Sequence, residues 1–315
     1  MIVLFLNAIV AYKIFSIWPE VWRPIFDAPR FSTFAIVDRE EVSPTSIILT
    51  LRPQPKYTLF GVTHKFNDPY KEAWEKGTWS VEFKQPQLQI ARAYTPLPPR
   101  DGDPDENLRF LIRKEYKGEV SRYLHGLPVG ATVELRGPNS EFALPTEVTD
   151  VVFLAGGTGI APGLQIAHTL LERRKDQLPP KIHMVWANRK REDCKGAYSS
   201  TSASSIDSNA GYIVQEIQRL QNMYPESLQV DYLVDEEGTF LDQNKLAPLV
   251  KLHSEVKFGP VSTRIDSRLL FISGPEGFVG YLAGPKRWEG GKEGQGELGG
   301  ILRRMGIRDW KIWKL

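Results

Sequence analysis

DVVFLAGGTGIAPG, residues 150–163, is the stretch that decides how this chain folds. Its apolar run, residues 151–155, is too short for a free helix and has the texture of a parallel strand buried on both faces. Gly156, Gly157 and Gly159 follow, so the backbone can turn sharply and approach a ligand with no Cβ in the way. Pro162 then stands where the first turn of a helix begins, and its missing N–H costs nothing there. Residues 164–174 continue with apolar groups at helical spacing (Leu164, Ala167, His168, Leu171). Strand, glycine turn and helix start make an anion cradle from free amides and the positive helix end. The spacing departs from GxGxxG, because Pro162 occupies the last glycine position. The loop by itself therefore leaves a structural turn open as the lesser reading.

Outward from this stretch, the two halves of the chain differ in texture. Downstream, strands at 182–187, 228–234 and 269–273 alternate with a helix at 212–223, the pattern of a parallel α/β layer. Residues 195–211 are serine-rich and read as a low-complexity surface loop. Upstream, short alternating strands at 34–38, 46–52, 79–83, 108–114 and 132–136 are separated by Pro, Gly and Asp turns. Their spacing predicts a small antiparallel β-barrel. The expected division is an anchor and linker at 1–29, the barrel at 30–148 and the α/β domain with a C-terminal extension at 149–315. Residues 60–76 form an aromatic and charged insertion with no functional reading.

Composition narrows the function classes. The 315 residues are 41% hydrophobic and 25% charged, enough apolar material for two cores. A net charge of +2, mixed in sign along the chain, argues against a nucleic-acid partner. Cys194 is the single cysteine, and the five histidines are scattered, so neither a disulfide nor a metal site is expected. Residues 2–18 are mostly apolar and would span about 25 Å as a helix, just short of a hydrocarbon core. With Trp18 and Trp22 as interfacial anchors they read as a single membrane anchor helix, or else as an ordinary helix packed on the domain.

Three further stretches carry ligand chemistry. Arg92, Tyr94 and Thr95 close an apolar strand and offer a guanidinium for phosphate, a flat ring for stacking and a hydroxyl. Gly118, Val120 and Ser121 sit where a glycine turn enters a helix, a phosphate-friendly cluster of amides. Ser273, Gly274 and Pro275 follow an apolar strand, which places them at the carboxyl edge of the same sheet as the glycine turn.

In this order the residues resemble the ferredoxin–NADP reductase superfamily, and within it the cytochrome b5 reductase branch. ARAYTPLP (91–98) is similar to that family's RxY(T/S) flavin motif, and GEVSRYLHGLPVGATVELRGP (118–138) to its second flavin stretch. AGGTGIAPGLQ (155–165) is similar to its pyridine-nucleotide loop, WANRKRED (186–193) and SGPEGFV (273–279) to later nucleotide contacts. The resemblance implies FAD on the barrel and NADH or NADPH on the α/β domain. It implies that Arg92 binds the FAD pyrophosphate with Gly118, Val120 and Ser121, and that Tyr94 stacks on the flavin ring. Thr95, near the reactive flavin nitrogen, and Ser273, on the hydride path, are the implied catalytic residues. Gly157, Thr158, Gly159, Gly274 and Pro275 would hold the nicotinamide nucleotide, and Asp193 would meet its ribose if it is NADH. Arg189, Lys190 and Arg191 would suit the 2′-phosphate of NADPH, or form an exposed turn.

The anchor and the tail are also similar to fungal mitochondrial inner-membrane flavoproteins that assist cytochrome c import and haem attachment. That similarity implies an oxidoreductase delivering electrons to a haem protein, cytochrome c or its heme lyase in the intermembrane space. A general NADH-cytochrome b5 reductase-like enzyme facing the cytosol from the endoplasmic reticulum or outer mitochondrial membrane is the alternative. A membrane-tethered assembly factor with little or no turnover is a second. Two departures bear on the choice. Ser273 stands where the family has cysteine, and about forty residues follow the SGP motif. Within that tail, Trp310 or Trp313 could cover the flavin, or the tail could be an exposed amphipathic or partner-docking segment.

Overall fold

The computed structural model describes residues 29–54, 69–175, 177–197, 209–252 and 267–315. The expected anchor at 2–18 lies outside the described residues, as do parts of the insertion at 60–76 and of the loop at 195–211. Among the described residues, no helix is long and apolar enough to cross a membrane.

The first half is a seven-stranded antiparallel sheet. Its strands are β1 (Ser32–Ser43), β2 (Ser46–Pro53), β3 (Gly77–Gln85), β4 (Ile90–Tyr94), β5 (Pro96–Leu97), β6 (Leu108–Arg113) and β7 (Thr132–Ala143). They run in the order β4-β3-β7-β1-β2-β6-β5. Alternate residues of five strands, among them Phe34, Leu49, Trp79, Phe83, Phe110 and Leu135, meet in one core. The helix Lys71–Lys76 packs Trp74 edge-on against Trp79, with ring centres 5.0 Å apart.

The second half is a parallel sheet in the order β10-β9-β8-β11-β14. It comprises β8 (Asp150–Gly156), β9 (Lys181–Asn188), β10 (Leu228–Val234), β11 (Arg268–Ser273) and β14 (Lys311–Lys314). The apolar run of β8 is divided between two cores. Val151, Phe153 and Ala155 face the helices Ile160–Ala167 and Tyr212–Met223, while Val152 and Leu154 face Leu246, Leu282 and Trp310. Burial on both faces is why the strand is apolar without alternation. After Ala167 the helix widens into a π-helical turn, His168–Arg173.

The tail corrects an expectation. It is not an exposed amphipathic segment, since β14 adds a fifth parallel strand along β11, with Leu269 opposite Lys311 and Ile272 opposite Lys314. A small hairpin, β12 (Arg287–Glu289) and β13 (Lys292–Gly294), precedes it. Both tail tryptophans pack against the rest of the fold. Trp310 is buried beneath the Arg268 guanidinium, and Trp313 packs edge-on against Phe142 of β7 at 5.2 Å.

Candidate active site

The two sheets meet so that the carboxyl ends of β8 and β11 face β3 and β4. Ser273 closes β11 in register with Ala155 of β8. The two following turns then touch backbone to backbone. A Cβ on Gly159 would collide with the Ser273 carbonyl, and one on Gly274 would lie 3.0 Å from the Gly156 Cα. Glycine at 159 and 274 is therefore a packing requirement that locks the loop at 157–159 beside the 273–275 turn. The Trp186 indole donates to the Gly157 carbonyl (2.8 Å) and fixes the loop from beneath.

A cavity of about 180 Å³ lies at this junction, lined by Thr78, Ser80 and Thr95 from the antiparallel sheet and by Pro162, Ser273 and Leu315 from the other half. The Lys286–Glu293 ion pair of the tail (3.0 Å) closes one side. Ser80 donates to Glu141 across the wall (2.5 Å), whereas the buried Thr78 hydroxyl has no partner among the described residues. A larger groove of about 740 Å³ lies at the opposite end of the parallel sheet, beside His183 and Asp231. It contains none of the expected site residues. The expected residues Thr95 and Ser273 line the smaller cavity, at the carboxyl edge where open α/β sheets bind ligands.

The expected residues fall into two groups. Thr95, Pro162, Ser273 and the glycine turns converge on the cavity or its rim. Arg92 and Tyr94 occupy the opposite face of β4. Tyr94 packs edge-on against Phe83 at 5.1 Å, and burial pushes its phenol up to about 12, so it stays neutral at working pH. Arg92 is exposed on this edge strand, and among the described residues its one hydrogen bond runs from Nη1 to the Ala91 carbonyl, which leaves N–H groups on its guanidinium to face an anion. The turn before the helix Glu119–His125 is drawn tight: a Cβ on Gly118 would sit 2.5 Å from the Ser121 Oγ. That hydroxyl is turned inward, donating to the Gly118 carbonyl (3.0 Å) and accepting from the Glu115 N–H (3.1 Å). Val120 is buried, so this turn offers a phosphate its main chain.

Asp193 is placed differently from the sequence expectation. It lies in the short 3-10 helix Arg191–Cys194, and its carboxylate accepts from Ser43 (2.8 Å), from Thr45 (3.4 Å) and from Arg113 Nη1 (3.2 Å). These partners belong to the antiparallel half, so both carboxylate oxygens of Asp193 are already engaged across the junction. Arg191 is held by Glu237, and the exposed Lys190 pairs with Glu192 (3.3 Å), beside the exposed Arg189.

Sequence reasoning missed Gln165. It is fully buried on the helix Ile160–Ala167, and its Oε1 accepts from the Trp79 N–H (3.0 Å) while Nε2 donates to the Trp79 (3.1 Å) and Pro96 (2.9 Å) carbonyls. The available signal was a lone long polar side chain on an otherwise apolar helix.

The residues suit a flavin and a nicotinamide dinucleotide in what they offer. Gly157 leaves room for backbone contact, Thr78, whose buried hydroxyl has no partner among the described residues, lines a cavity, an exposed guanidinium borders a half-buried ring, and both halves of the chain contribute. Comparison with known proteins agrees. Residues 78–144 match the model of an oxidoreductase FAD-binding domain, and residues 153–202 that of an oxidoreductase NAD-binding domain. The chain is 25% identical over 258 residues to NADH-cytochrome b5 reductase 2 of Phaeosphaeria nodorum, covering 80% of this chain and 69% of that one. It is 26% identical to the protein of the same name from Botryotinia fuckeliana, covering 74% of this chain and 61% of the relative. The chain thus spans about two thirds of the length of these relatives. The cytochrome b5 reductase domain of Ulva prolifera nitrate reductase has the same fold, with a TM-score of 0.56 at 17% identity over 82% of this chain and 92% of that domain.

Proposed function

We propose that this chain, a cytochrome b5 reductase-like member of the ferredoxin–NADP reductase superfamily, passes electrons from a nicotinamide dinucleotide through FAD to a haem protein. FAD and NADH or NADPH are the cofactors of its two domains. The division we assign gives residues 30–148 to FAD and 149–315 to the nicotinamide nucleotide. The observation that carries the reading is the meeting of Thr95 with Pro162 and Ser273 on one cavity, one wall from each sheet. Bound FAD supplies the exchange between a two-electron hydride and one-electron steps. The chain's own residues bind and align. Arg92 offers charge to a diphosphate, the Gly118 turn offers amides, and Tyr94 offers a neutral ring. Gly159 and Gly274 hold the two turns together, and the open position of Gly157 lets a nicotinamide approach the edge where Thr95 and Ser273 hold hydroxyls.

A haem protein is the acceptor class because the relatives are named for reducing one. The finer assignment is a cytochrome c maturation partner, cytochrome c or its heme lyase, reached from the mitochondrial inner membrane with residues 2–18 as anchor. It rests on the similarity of anchor and tail to the fungal flavoproteins. Purified full chain in detergent is expected to be yellow and to bleach anaerobically with NADH or NADPH. A colourless protein that takes up no FAD overturns the oxidoreductase reading. Arg92→Ala is expected to lose the flavin. Fractionation, with acceptor kinetics on cytochrome c against cytochrome b5, separates the mitochondrial role from a general b5 reductase. The assembly-factor reading, which Ser273 favours, requires that an Arg92→Ala/Tyr94→Ala variant still rescue a deletion strain.

A further inference from the structure

β3 does not pair evenly with β7. Its register shifts between Thr78 and Trp79 and again between Ser80 and Glu82. Such irregularities free main-chain groups that a ladder would use. At Trp79 both the N–H and the carbonyl are taken by one side-chain amide, that of Gln165, which also reaches the Pro96 carbonyl. The residues on either side of these contacts are the cavity wall. Thr78 and Ser80 flank Trp79, and Thr95 precedes Pro96. On its own helix Gln165 lies one turn beyond Pro162, which lines the same cavity from the nucleotide side. A single rigid amide therefore ties both walls together.

We infer that Gln165 is a positioning residue for hydride transfer, setting the separation between the nucleotide loop and the strands that carry Thr95 and Thr78. The inference rests on the flavin reading above. Gln165 touches neither reacting group and acts through the backbone of Trp79 and Pro96. Its neighbour Thr169 provides an internal control. Thr169 Oγ1 donates to the Trp74 carbonyl (2.9 Å), joining the same two halves of the chain, but Trp74 does not line the cavity. A general loosening of the contact affects both residues; a positioning role belongs to Gln165 alone.

The test uses full-length, FAD-loaded protein in stopped-flow reduction by NADH and NADPH under anaerobic conditions. Gln165→Met keeps the length and loses the hydrogen bonds, and Gln165→Glu keeps an acceptor for the Trp79 N–H while losing both donors. Reduction of the flavin is expected to slow about 10- to 100-fold in Gln165→Met. The long-wavelength charge-transfer absorbance between reduced flavin and oxidised nicotinamide should weaken with it. Nucleotide affinity and reoxidation by ferricyanide should stay at wild-type levels. In ligand-free protein, the Trp79 amide should exchange with deuterium faster in Gln165→Met and less so in Gln165→Glu. Thr169→Val should leave the reduction rate unchanged. The inference is overturned if Gln165→Met is reduced within about twofold of wild type, or if Thr169→Val slows reduction as much. Should Gln165→Met fail to hold FAD, Gln165→Glu decides the matter on the same criteria. Wild-type protein that binds FAD but is reduced by neither nucleotide overturns the flavin reading itself, an outcome distinct from failure of the clamp.

Discussion

Two seams join the halves of this molecule, and they are built from opposite chemistry. One runs along the helix that follows the glycine turn. Gln165 bonds to backbone carbonyls of the antiparallel sheet and Thr169 to that of Trp74 in the helix Lys71–Lys76, and Phe142 is wedged between Phe271 (5.0 Å) and Trp313 (5.2 Å). These groups are neutral, and all but the half-buried Trp313 are buried, with the Lys311 ammonium 5.6 Å from the Phe142 ring centre. The other seam is charged. Asp193 holds Arg113, Ser43 and Thr45, and the Tyr212 ring is covered by the Arg100 guanidinium at 3.7 Å and contacted by that of Arg109 at 4.7 Å. Neutral hydrogen bonds and packed rings are short-ranged, insensitive to salt and intolerant of displacement. Ion pairs reach further, weaken with salt and can exchange partners. The neutral seam suits the place where two walls must keep a fixed separation. The charged seam suits a place where a phosphate-bearing ligand could compete for the same cations.

The contrast can be broken most sharply at Phe142. Phe142→Ala empties the centre of the aromatic cluster and should cost about 3–5 kcal/mol in urea unfolding of the full chain. Gln165→Leu should come next, at about 3 kcal/mol, because it strands buried groups of Trp79 and Pro96 without partners. Neither loss should change with added salt. Asp193→Asn removes one charge of a partly buried pair, at about 1–3 kcal/mol, and this loss should shrink as salt is raised to about 1 M. An Asp193→Asn loss that ignores salt would erase the distinction between the seams. Tyr212→Phe, which forfeits the hydrogen bond from Arg109 to the ring hydroxyl (2.6 Å), should cost about 1 kcal/mol.

Acidity gives the smallest effect. Burial raises the Glu172 carboxyl, but hydrogen bonds from His168 and Arg219 outweigh it and hold it at about 2. The folded state then binds fewer protons than the unfolded chain between about pH 4.5 and 2. Stability from Glu172 is thus present above that window and is lost as pH falls through it. Glu172→Gln should flatten the decline in urea midpoint between about pH 5 and pH 3, and a slope identical to wild type would remove Glu172 from the account.

The helix Tyr212–Met223 and the strand Leu228–Val234 were legible to the residue, because each is long or apolar enough to carry its own period. β14 was not. Four residues, Lys311–Lys314, with a lysine at each end form a strand only because β11 offers an open edge. At the site, the glycines announced themselves, yet the reason for Gly159 and Gly274 is their contact with each other's turn. Asp193 read as a ribose ligand from its motif, while its carboxylate in the fold meets residues some 80 and 150 positions away in sequence. Gln165 gave a weaker signal still, since a glutamine on a helix is ordinary until its surroundings are known.

What the sequence determined by itself was local. The buried run at 151–155, the glycine turn and the alternating strands before it specify two kinds of sheet, through side-chain period and backbone permission alone. What the tertiary structure decided was which polar groups end up facing each other across the seams. That choice depends on a freed N–H in a shifted strand, an open sheet edge and the distance between two turns. None of these exists until distant segments have packed. The glycine turn could be read from the sequence, and the Gln165 amide that meets Trp79 and Pro96 across the seam could not.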